Sequence, residues 1–93
     1  MNFKCQKTEN CFSDSQTYEY GLPITAEEFM NLLDDSWQIR CNHKLRRPVF
    51  LAEGRKVKIK GILSGTIIRV SFQNAGWENQ KAEFEVFLNN ISY

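Results

Sequence analysis

The stretch from Lys56 to Gln73 constrains the fold more than any other part of this chain. Val57, Ile59, Gly61 and Leu63 alternate with Lys56, Lys58, Lys60 and Ile62; Ser64-Gly65 intervenes; then Thr66, Ile68, Val70 and Phe72 alternate with Ile67, Arg69, Ser71 and Gln73. A period of two sends successive side chains to opposite faces of a strand, and a Ser-Gly pair between two such runs signals a hairpin. With Ser64-Gly65 as a two-residue loop, the pairs Leu63/Thr66, Gly61/Ile68, Ile59/Val70 and Val57/Phe72 share the apolar face. The pairs Ile62/Ile67, Lys60/Arg69, Lys58/Ser71 and Lys56/Gln73 share the other. A slip of one residue would turn the apolar set to solvent, so turn and pattern specify the register together.

The same period begins earlier. Trp37, Ile39, Cys41, His43 and Leu45 alternate with Gln38, Arg40, Asn42 and Lys44 and read as a half-buried strand. Pro48 interrupts the run, and Val49-Phe50-Leu51 leads to the turn residues Glu53-Gly54. The length of that turn decides the face of Phe50. A two- or four-residue loop sets it opposite Val57 in the core, whereas a three-residue loop turns it out and sends Val49 and Leu51 inward.

Two segments carry a helical period instead. Thr25 with Glu28 has the form of a capping box, Ile24 and Phe29 stand at hydrophobic-staple positions, and Ala26, Phe29, Met30 and Leu33 make one stripe on a helix ending near Asp35. After Asn74 and Gly76, Trp77, Phe84, Phe87, Leu88 and Ile91 share a second helical face. The expected fold is α+β: an antiparallel meander of three or four strands, flanked in sequence by an N-terminal and a C-terminal helix packed on one sheet face. Residues 1–20 are polar and without period and read as a mobile tail, which leaves residues 21–93 as a single α+β domain.

The 93 residues suffice for one core, and the aromatic content, 13%, allows it to be packed. Apolar runs fall well short of the roughly 18 residues of a membrane span, and no apolar stretch follows Lys4 as in a secretory signal. With an odd number of cysteines as well, a cytoplasmic protein is expected.

Charge is segregated. Residues 36–72 hold nine basic side chains against the single acid Glu53, a net +8, while the remainder nets −7. The basic set is Arg40, Lys44, Arg46, Arg47, Arg55, Lys56, Lys58, Lys60 and Arg69, and the hairpin register gathers Lys56, Lys58, Lys60 and Arg69 on one face. Like charges on neighbouring strands repel, which points to an anionic partner. The first expectation is a non-enzymatic module whose basic face contacts nucleic-acid phosphates. The second is an adaptor or inhibitor that docks an acidic protein surface or a second copy of the chain. Stacking on bases would need outward rings, for which Phe50 is the candidate on this face. The apolar pair Ile62/Ile67 at the hairpin tip, with Tyr18, Tyr20 and Tyr93, offers a further docking point.

Other chemistries receive less support. Cys5, Cys11, Cys41 and His43 make a Cys3His set, but the first pair is spaced C-x5-C instead of as a zinc knuckle, so no metal or other cofactor is expected. His43 beside Cys41 lacks an orienting third group, and Glu27-Glu28 and Asp34-Asp35 diverge on a helix, so no enzyme is expected.

Overall fold

The computed structural model describes residues 1–8, 15–44, 46–54, 56–73 and 75–91. Among them six strands form one antiparallel sheet: β1 (Lys4–Lys7), β2 (Ser15–Gly21), β3 (Gln38–Asn42), β4 (Val49–Glu53), β5 (Val57–Ile62) and β6 (Ile67–Gln73). Their spatial order is β1-β2-β6-β5-β4-β3. Helix α1 (Ala26–Asn31) lies between β2 and β3 in the chain, and α2 (Trp77–Asn90) follows β6. The expectation of a three- or four-stranded meander behind an N-terminal helix is therefore corrected: the sheet has six strands, and two of them precede the first helix.

The additional strands come from the segment read as a tail. In β2 the apolar members of the alternation are Tyr18 and Tyr20, both buried, set among Gln16, Thr17 and Glu19. Hydroxyl-bearing rings among polar residues hide the period. β2 pairs along its length with β6, Tyr18 opposite Val70 and Tyr20 opposite Ile68. This long-range ladder has no local signature.

The β5–β6 hairpin keeps the register read from its pattern: Val57 faces Phe72, Ile59 faces Val70, Gly61 faces Ile68, and Lys60 faces Arg69. Between β4 and β5, Glu53 pairs with Lys58, and Phe50 pairs with Gly61 instead of Val57. Phe50 is buried in the core. β3 retains its alternation but not its cover, since all five residues of this edge strand are exposed.

Helix α1 starts where its capping box stands: Thr25 Oγ1 accepts from the Glu28 N–H at 3.2 Å, and Glu28 Oε1 accepts from the Thr25 N–H at 3.4 Å. Two N–H groups of its first turn, left without helical partners, bind the β5–β6 turn instead, Ala26 to Gly65 O at 2.7 Å and Glu27 to Leu63 O at 3.2 Å. The helix ends at Asn31, short of Asp35. Asp34 Oδ1 accepts from the Ser36 N–H at 2.9 Å, a local turn that competes with further helix. The hydrogen bonds from Ser36 hold the Asp34 carboxyl below its usual range.

Both helices lie against the same face of the sheet. Phe84 of α2 meets Tyr20 of β2, Phe72 of β6 and Phe29 of α1, at ring-centroid distances of 5.3, 6.1 and 6.5 Å. The opposite face has neither helix over it.

Tyr20 closes the covered face toward β1. Its hydroxyl donates to Glu85 Oε2 at 3.2 Å, and Glu85 also pairs with Lys81, whose Nζ lies 4.9 Å from the Tyr18 ring centroid. Burial, followed by the hydrogen bond and charge of Cys5 and then by Glu85, pushes the Tyr20 phenol well above the ordinary tyrosine range. With its folded pKa raised, the group contributes stability fully below the unfolded pKa. That contribution declines at higher pH, because the unfolded chain releases the proton while the fold retains it. Stability should therefore fall above about pH 10, with Tyr20 phenolate absorbance appearing only as the fold is lost. Tyr20→Phe should flatten this alkaline limb. Phenolate from Tyr20 ahead of unfolding would contradict the assignment.

Candidate partner interface on the open sheet face

The strand register sets the open face out in rows. The central row runs Arg40, Leu51, Lys60, Arg69, Glu19 and Gln6 from β3 to β1. Beside it lie Gln38, Glu53, Lys58, Ser71 and Thr17. On its other side Asn42, Val49 and Ile62 are in line, and Ile67, Gly21 and Lys4 continue from β6 to β1.

The basic residues singled out from the sequence are thereby divided. Arg40, Lys58, Lys60 and Arg69 stand on the open face. Lys44, Arg46 and Arg47 are exposed in the β3–β4 connection, at the end of the sheet that carries Val49 and Ile62. Lys56 sits at the opposite end, in the β4–β5 turn, with φ 67, and its carbonyl accepts from the Gln73 N–H at 3.3 Å. Arg55 lies outside the described residues. Of the array expected from the hairpin, Lys58, Lys60 and Arg69 lie within the β5–β6 ladder and Lys56 lies just outside it, while Arg40 of the basic set stands in the central row.

Carboxylates reach the same face. Glu19 Oε1 lies 3.2 Å from Arg69 Nη2, and Glu53 is the cross-strand neighbour of Lys58. Arg69 is 66% exposed, so this ion pair adds little stability, but it places a negative charge beside the cation. Among the described residues, the cations of the central row without an ion-pair partner are Arg40 and Lys60, on the β3 side.

Apolar side chains fill the corner next to them. Ile62 is 38% and Ile67 54% exposed, while Val49 and Leu51 are half-buried on the same face. The turn length explains why Val49 and Leu51 were not assigned there from sequence: with Glu53 opposite Lys58, Phe50 goes in and its neighbours come out. Glu19 was missed because β2 was read as tail. Tyr18 and Tyr20, considered as docking residues, are core, and Tyr93 lies outside the described residues.

The cysteines do not converge. Cys5 and Cys41 are free and belong to β1 and β3, the opposite edges of the sheet. Five strand spacings separate them, about 24 Å, so one metal ion cannot take both. Cys11 lies outside the described residues, and Cys41 Sγ is 3.3 Å from Met30 Sδ. Among the described residues no helix is long and apolar enough to cross a membrane. Comparison with protein-family models, with curated proteins and with solved structures finds no match for this chain.

Proposed function

We propose that this chain is a non-enzymatic interaction module that docks an acidic protein surface, bearing aliphatic side chains, on its open sheet face. One observation carries the reading: an aliphatic corner of exposed Ile62 and Ile67 with half-buried Val49 adjoins Arg40 and Lys60, which have no ion-pair partner among the described residues, on the face opposite α1 and α2. Protein interfaces combine an apolar centre with a charged rim. A surface that binds single strands combines cations with rings for stacking on bases, and the ring considered for that role, Phe50, is buried. The free thiols at separate edges accord with action in the cytoplasm.

Selection from a displayed random-peptide library tests the reading. The wild-type protein should enrich peptides that combine Asp or Glu with Leu, Ile or Val. Ile67→Asp and Lys60→Glu should each weaken the selected peptides about tenfold or more, while changing folding stability by no more than about 0.5 kcal/mol, as is usual at exposed positions. If the protein enriches no acidic peptide, and instead binds oligonucleotides with a steep salt dependence that Ile67→Asp leaves unchanged, the phosphate-binding reading replaces this one.

A further inference from the structure

The two edges of the sheet are not equivalent. β1 is four residues long with a lysine at each end, and its register sets Lys7 opposite Tyr18, on the face that the helices cover. A charge turned inward on a short edge strand deters pairing with another strand. β3 has no such guard. It runs in unbroken register with β4 from Gln38 to Asn42, contains neither proline nor lysine, and carries Ile39 and Cys41 on the helix side. Ile39 is 38% exposed. Among the described residues, the outer backbone groups of this edge face no neighbouring strand.

We infer that β3 accepts an extended acidic segment of a partner protein as a seventh, added strand. This rests on the reading above for the acidity of the partner. Strand addition draws affinity from main-chain hydrogen bonds and selectivity from alternate side chains. On the open side the residue beside Arg40 is favoured as Asp or Glu, because opposite charges attract across strands and the carboxylate of that row, Glu19, lies beyond Arg69. On the helix side, beside Ile39 and Cys41, aliphatic residues fit. Arg46 and Arg47, exposed beyond the end of β3, extend the preference for acids past Asn42. A second copy of β3, laid antiparallel in the fully overlapping register, would set Arg40 against Arg40, which is unfavourable. The cations Arg40, Arg46 and Arg47 fit a different chain better than a second copy of this basic edge, and the occupant is one that alternates acidic and aliphatic residues.

Amide hydrogen exchange on the full chain tests this, with a synthetic peptide of about eight residues alternating Glu and Val as the probe. The outward N–H groups within Gln38–Asn42 should exchange rapidly in the free protein and slow about tenfold or more at saturating peptide. A peptide of the same composition with its Glu and Val residues in separate blocks, or one N-methylated on the edge-facing amides, should give no protection. Arg40→Glu should weaken the parent peptide about tenfold. If the N-methylated peptide binds as well as its parent, or β3 stays unprotected, strand addition is wrong, while loss of binding in Ile67→Asp would still uphold the open-face reading. If β3 is protected and neither Ile67→Asp nor Lys60→Glu changes affinity, strand addition stands and the open-face reading fails. Protection of β3 without peptide, rising with protein concentration, would overturn the inference in favour of self-pairing.

Discussion

Replacing Phe84 by alanine should lower folding stability by about 3–5 kcal/mol, the range for a buried aromatic ring removed from a core. Phe84 is 5% exposed and lies within 6.5 Å, centroid to centroid, of four other rings: Tyr20, Phe29, Phe72 and Phe87. Those rings belong to β2, α1, β6 and α2, so one side chain joins both helices to the middle of the sheet. The cavity would form where four elements meet, and none can close it without giving up its own contacts. Aromatic pairs add about 0.5–1.5 kcal/mol each beyond area burial, which favours the upper half of the range. Domains of this size are stable by about 5–15 kcal/mol in total, so the variant should unfold at far lower urea. Val86→Ala, at a position 57% exposed on the same helix, should leave the midpoint nearly unchanged. Equal effects of the two substitutions would mean that α2 does not present this face to the sheet.

Gly61→Val should be destabilising by about 2 kcal/mol, although valine is the better strand former. The gain in β propensity is at most about 1 kcal/mol, and overpacking a core commonly costs about 1–3 kcal/mol or more. A Cβ at position 61 would stand 2.8 Å from Phe50 Cε1, 3.1 Å from Ala26 Cβ and 3.2 Å from Ile68 Cγ2. Ala26 cannot easily withdraw, because its N–H is bound to Gly65 O on the adjoining turn. The missing side chain at Gly61 is what allows α1 to sit close over β5. Since the nearest obstacle is a ring edge, Phe50→Leu should recover part of the loss in the double variant, with a coupling of about 0.5–3 kcal/mol. Urea titration of the four proteins of the cycle measures it. A stable Gly61→Val protein would show that the packing of α1 on β5 is looser than described.

The parts of the fold legible in the sequence are those in which neighbours in the chain are neighbours in space. The β5–β6 register followed from alternation around Ser64-Gly65, and the start of α1 followed from Thr25 and Glu28, because the turn and the cap are local interactions. β2 was not legible. Its buried side chains are Tyr18 and Tyr20, and its partner β6 lies far along the chain, beyond α1 and three further strands. β3 showed the reverse error: its alternation was real, but its place at the edge leaves Ile39 and Cys41 without the cover that the period suggested. For the candidate interface, the opposition of Lys60 and Arg69 could be read directly. The aliphatic corner depended on the β4–β5 turn length, and the neutralising role of Glu19 depended on β2.

These corrections change the character of the face. A run of nine basic residues becomes a face on which Arg40 and Lys60 stand beside Val49, Ile62 and Ile67, with Arg69 paired to Glu19. The most direct test is to map amide NMR shifts in the wild-type protein, titrated in parallel with a selected acidic peptide and with a mixed-sequence oligonucleotide. Peptide-induced shifts should concentrate at Val49, Leu51, Lys60, Ile62 and Ile67, with the exposed side of α2 silent and no comparable response to the oligonucleotide. Shifts at Lys58, Lys60 and Arg69 with the oligonucleotide, and none on this face with the peptide, would contradict the acidic-partner reading.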